Sequence, residues 1–199
     1  MKSLTRLLAV IAALFIAQPA WAADDGYKID QVLGRPDAPL TIIEYASTTC
    51  SHCAAFHKTT MPKLKAEWID TGRAKLIFRD FPTGPQGLSV GASMIAHCAT
   101  PERYFGLLGL IMEHQEKWMG SKNPLAELKK LAMLAGLGED KVDACLKRQD
   151  LATDIKDRAK DGNEKLGVDS TPSFIINGKL MVGAQSFEEL DKALKAAKK

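Results

Sequence analysis

The strongest constraint on this chain is where its first pair of cysteines falls. Leu40–Ala46 (LTIIEYA) is a β-branched and aromatic run, the pattern of a strand. Cys50-Ser51-His52-Cys53 comes directly after it, and a helical pattern covers 48–70, with Thr48 or Thr49 as the expected N-cap and Pro62 as an expected kink. Ala74–Phe81 is a second strand, stopped by Pro82. Strand, helix and strand in this order imply a right-handed parallel unit. The cysteines are therefore pinned where the first strand hands over to the first helix.

The rest of the chain adds helices and a hairpin. After Gly84-Pro85 and Gly87 comes a long helical stretch, with breaks at Thr100-Pro101, Ser121–Pro124 and Gly136–Gly138. Within it Leu125, Leu128, Leu131 and Ala132 share one face, with Leu134 at its edge. A more charged helix is expected over 150–166. SFIIN and KLMVG flank Asn177-Gly178, a strong short-range hairpin signal. Ser186 and Glu189 have capping-box spacing at the start of a closing helix. Ala23–Pro39 is polar, with Gly34, Pro36 and Pro39, and reads as an entry arm.

The N-terminus carries an address. Met1–Arg6 is basic, Leu7–Ala17 is an unbroken apolar run, Pro19 interrupts it, and Ala20-Trp21-Ala22 supplies small residues for signal peptidase. Residues 1–22 thus read as a secretory signal peptide cleaved after Ala22, leaving one domain over 23–199. A membrane anchor would need about 20 apolar residues. Export with a bacterial-type signal implies the periplasm, where disulfides persist. Lys2 and Arg6 account for two of the 27 basic residues, set against 24 acidic ones, so the mature chain is nearly neutral. Nucleic acid is an unsuitable partner for such a surface.

The position of Cys50 and Cys53 points to a chemistry. Cysteines at i and i+3 share one side of a helix and lie within disulfide reach. A helix N-terminus offers unpaired N–H groups and about half a positive charge, which stabilise a thiolate at Cys50. A protonated His52 would add a second charge. Thiolate, not thiol, attacks disulfides, and Cys53, one turn further in, is expected to be buried and to resolve. A structural bridge across one turn would constrain little. Haem attachment needs histidine at position 54, which is Ala. Zinc takes about four ligands, and Cys50, Cys53 and His57 supply three locally.

The segments TIIEYASTTCSHCAAF and STPSFIING, about 120 residues apart, with a helix after them, resemble the DsbA family of thioredoxin-fold thiol–disulfide oxidoreductases over nearly the whole mature chain. The resemblance implies an α/β, thioredoxin-like fold: a mixed four-stranded sheet with a helical subdomain inserted at about 86–162. It makes Cys50 the nucleophile and Cys53 the resolving cysteine. It makes Pro172 the cis-proline beside them, leaving the backbone of Thr171 to pair with an extended substrate. Glu44 matches an acidic position used near the buried cysteine as a proton relay; the alternative is an edge carboxylate facing water. Lys75 is a candidate for the family's basic residue on the second strand. Ser51 stands where the best-known members have Pro. Thr171 stands where they have Val, and Thr there occurs in isomerases and reductases.

With Cys50 and Cys53 assigned to chemistry, Cys98 and Cys145 remain. Bridged, they close a loop of about 48 residues, worth roughly 4 kcal/mol in the chain-entropy model; the alternative is two buried free thiols. His57 is placed to line the active-site surface, and His97 and His114 read as helix-face residues. The expected activity is a monomeric oxidase that introduces disulfides into reduced or unfolded exported proteins, with a membrane-bound redox partner to reoxidise it and no cofactor or metal. An isomerase or reductase is the rival within the fold. Such proteins commonly dimerise through an extra N-terminal domain, for which the roughly 17 residues of Ala23–Pro39 leave no room. A periplasmic metal-binding module is the rival from another class.

Overall fold

The computed structural model describes residues 30–197. The leader read over residues 1–22 lies outside them. A five-stranded mixed sheet in the order β1-β3-β2-β4-β5 carries the site. Its strands are β1 (Gln31–Leu33), β2 (Leu40–Ala46), β3 (Ala74–Asp80), β4 (Ser173–Ile176) and β5 (Lys179–Val182). The sequence pattern predicts four; the fifth, β1, lies in the entry arm and pairs antiparallel with β3. Three residues carry too little pattern to be recognised locally, and the open edge of β3 supplies their hydrogen bonds.

β2 lies parallel to β3 and antiparallel to β4. It is central and has helices over both faces. Alternation then sorts its side chains. Ile42, Glu44 and Ala46 are all fully buried; Ile42 and Ala46 join the main core with Cys53, Phe56, Phe78 and Phe174. Tyr45 packs on the opposite face with Val168 and Ile175. The hairpin between β4 and β5 turns at Asn177 and Gly178, with φ of 50° and 73°, as a tight turn that follows the strands' twist requires.

The first helical segment is divided. α1 (Ser51–Thr59) is followed by α2 (Met61–Leu64), with Pro62 in its first turn, and then by a π-helical turn at Lys65–Ile69. The N-cap of α1 is Cys50, not Thr48 or Thr49. Those hydroxyls bond elsewhere: Thr48 Oγ1 donates to Ser89 O (3.1 Å) and Thr49 Oγ1 to Thr83 O (2.6 Å).

Between β3 and β4 run α3 (Gln86–His97), α4 (Pro101–Glu113), α5 (Gln115–Met119), α6 (Pro124–Leu134), α7 (Glu139–Cys145) and α8 (Gln149–Leu166). The break at His114 carries no Gly or Pro, so no local residue marks it. On α6, Leu128, Leu131 and Ala132 are buried, whereas Leu125 and Leu134 are exposed. Cys98, at the end of α3, is joined by a disulfide to Cys145 at the end of α7, with Cα atoms 6.1 Å apart. α8 returns to the sheet, where Gly162 sits against the Tyr45 ring. α9 (Phe187–Ala197) closes the chain behind a capping box: Ser186 N–H donates to Glu189 Oε2 (2.8 Å), and Glu189 N–H donates to Ser186 Oγ (3.2 Å).

Candidate active site

Cys50 sits half-buried at the head of α1, and Cys53 is sealed one turn inside. The Cys50 N–H donates to Ser47 O (3.1 Å), while its carbonyl accepts from Ala54 N–H (3.1 Å) and from the Gln115 side chain (3.0 Å). Gln115 also donates to Thr48 O (2.8 Å) and is itself buried. One amide from the helical subdomain therefore fixes the turn that presents Cys50. Sequence reasoning missed it, because nothing local marks a glutamine 65 residues away as a support.

The two sulfurs meet opposite environments. The Cys50 thiol is pulled down to about 5, chiefly because the Cys53 thiol donates to it. Burial opposes this, and Thr171 and the N–H groups of Cys53 and His52 reinforce it. Cys53 is pushed far above the ordinary thiol range, first by burial, then by its bond to Cys50 and by the charge of Glu44 among others. His52 itself is exposed on the first turn.

Across the cleft the Thr171–Pro172 peptide bond is cis. The Cys50 thiol, when protonated, donates to Thr171 O at 3.4 Å. Cys50, Cys53, Thr171 and Pro172 are thus brought to one place from residues more than a hundred positions apart. Glu44 does not face water. It is fully buried beneath α1, with Oε1 2.9 Å from Nε2 of His57 and Oε2 buried without a hydrogen-bond partner. His57 is therefore mostly inside, its side chain 8% exposed.

Lys75 stands apart. It pairs with Thr41 at the other end of the strands and donates to Pro36 O, so it is not the basic neighbour of the buried cysteine. His97 is also more than a helix-face residue: its Nε2 lies 2.6 Å from Asp80 Oδ2, with both side chains buried. Burial disfavours the Asp80 carboxylate, but His97 beside it holds its pKa below the usual value. Another buried group joins Arg79 and Arg158 to Asp30, just before β1.

A sheet whose first parallel unit presents a dithiol at a helix N-terminus, opposite a cis-proline, defines the thioredoxin-fold class of dithiol proteins. A family profile described as "Thioredoxin" matches residues 28–196. Wolbachia pipientis alpha-DsbA1 is 31% identical, with a TM-score of 0.77 over 84% of this chain and 92% of that one. The chain belongs to the DsbA group of the thioredoxin family. A Rickettsia bellii relative named "Putative protein-disulfide oxidoreductase" is 31% identical over 156 residues, 76% of this chain and 60% of its own. This chain spans roughly 60% of the length of such curated relatives. Oxidised BdbD from Bacillus subtilis shares the fold at 21% identity, with a TM-score of 0.73 over 85% of this chain and 93% of that one.

Proposed function

We propose that this protein is a periplasmic thiol–disulfide oxidoreductase that introduces disulfides into reduced, exported proteins. The observation that carries this reading is the contrast between two sulfurs one helical turn apart. Cys50 is a stabilised thiolate at a helix head; Cys53 is buried and held protonated. A substrate thiolate attacks Cys50 Sγ of the Cys50–Cys53 bridge, and Cys53 leaves with the bonding pair and is protonated. A second substrate thiolate then attacks the substrate sulfur of the mixed disulfide, and Cys50 leaves. The substrate loses two electrons and the enzyme gains them. A thiolate with a pKa near 5 is a good leaving group, which favours this direction.

The Thr171 backbone beside Cys50 would take an extended substrate strand. The reduced enzyme is returned to the disulfide by a membrane-bound redox partner. The leader-like residues 1–22 support export, and among the described residues no helix is long and apolar enough to cross a membrane.

Trapping tests the reading. In Cys53→Ala, mixed disulfides with exported proteins should accumulate, and in Cys50→Ala they should vanish. Adducts that survive loss of Cys50 would sink the assignment. A reduction potential near about −120 mV supports an oxidase, and one near about −270 mV would make the protein a reductase.

A further inference from the structure

We propose that His57 is the positioning residue through which the buried Cys53 exchanges its proton, acting as one unit with Glu44. This rests on the thiol–disulfide reading above and concerns its second sulfur. Each time the Cys50–Cys53 bond forms or breaks, Cys53 must lose or gain a proton, yet Cys53 is 0% exposed. Its proton therefore leaves past the groups packed on it: Cys50, to which the thiol donates, and the side chains beneath α1, of which Glu44 acts on it through its charge.

The groups around the sulfur narrow the choice. Glu44 lies on β2 beneath α1 and is equally sealed, so it can hold a proton but not deliver one to solvent. Its Oε2, buried and unpartnered, has a free lone pair. Its Oε1 is taken by His57 Nε2 at 2.9 Å. His57 follows Cys53 by four residues and shares its side of α1. The His57 side chain is 8% exposed, so the pair runs from the interior to the surface.

Aromatic rings wall the remainder. Phe56 lies 5.7 Å and Phe78 6.1 Å from the His57 ring, and Phe174 packs tilted against Phe56 at 4.7 Å. The titratable groups facing the pair are Cys53 and Cys50 from α1 and its cap, and Tyr104 from α4 behind Phe78. Burial raises the Tyr104 phenol, which keeps it neutral. Lys75, the cation expected from the strand, is at the far end of the sheet. The basic partner of Glu44 therefore comes from the helix that carries the cysteines.

When the enzyme closes its own disulfide, the Cys53 proton passes to the Glu44–His57 pair and on to water through the imidazole. The Cys53 sulfur attacks Cys50 Sγ, and the group disulfide-bonded to Cys50 leaves as a thiolate with the electron pair. Opening of the bridge runs the proton path in reverse.

The test separates the two sulfurs. Reduced protein is mixed with dithiobis(nitrobenzoate). One coloured thiolate is released when Cys50 attacks, and a second when Cys53 closes the bridge. In His57→Gln the first phase should stay within about twofold of wild type, and the second should slow at least about tenfold and change its pH profile. In His57→Ala added imidazole should speed the slow phase severalfold, which a merely structural histidine would not allow. A second phase that matches wild type at every pH, or one that is slow but deaf to imidazole, overturns the proposal while leaving the dithiol reading intact. A wild-type protein with no fast first phase would instead overturn that reading. Should the His57 variants fail to fold, Glu44→Gln should slow the second phase alone, and an unchanged second phase there also refutes the proposal.

Discussion

Converting Cys50 to Ser in the dithiol protein removes the thiolate and keeps the rest of the first turn. An ordinary thiol titrates near about 8.5, and here Cys50 titrates at about 5. A folded pKa below the unfolded one stabilises the protein fully above the unfolded value, and the contribution disappears as pH falls through the folded value. At pH 7 the interval from about 5 to 7 counts, worth about 2.7 kcal/mol at about 1.4 kcal/mol per unit. Cys50 is only half-buried, and solvent screening reduces this to roughly 1.5 kcal/mol. For a chain of this size that is about 3–6 °C in Tm. Melting curves of reduced wild type and Cys50→Ser should therefore diverge by that amount at pH 7, diverge further at pH 8.5, and converge by about pH 4 apart from a constant offset. The offset reflects Ser as a better N-cap and does not vary with pH. A gap that stays flat from pH 4 to 8.5 would show that the helix head and the Cys53 thiol do not hold a thiolate. Alkylation of Cys50 by iodoacetamide should show the same midpoint near 5.

Asp30→Asn removes a carboxylate shared by Arg79 (2.9 Å) and Arg158 (2.6 Å), and urea denaturation should show a loss of roughly 3 kcal/mol with the alkylation rate of Cys50 unchanged. Gln115→Ala leaves the Thr48 and Cys50 carbonyls without their amide, which should cost about 1–2 kcal/mol and move the Cys50 alkylation midpoint upwards. Gly162→Ala would put a Cβ 2.5 Å from the Tyr45 ring, and denaturation should show a loss of about 1–3 kcal/mol; a neutral result would mean that α8 can slide on the sheet.

What the sequence determined by itself is what neighbouring residues determine among themselves. β2, the bulk of β3, the Asn177-Gly178 turn and the capping box at Ser186 are local patterns, and the structure has them where the pattern lies. The strand-to-helix position of Cys50 and Cys53 belongs with them, because a thiolate at a helix head depends on N–H groups within one turn. Tertiary structure decided which distant groups serve that turn. Glu44 is equally compatible with water or burial in the sequence, and the helices laid over β2 bury it. His57 reads as a surface residue until α1 docks on the sheet and turns it onto Glu44. Lys75 falls at the wrong end only once the parallel register pairs it with Thr41. β1, Gln115 and the Asp30 cluster leave no local trace for the same reason: their partners lie 43 to 128 residues away and meet them only after the whole sheet and its helices have packed. A buried polar group is held by whichever partner packing brings within reach, and no spacing in the chain records that.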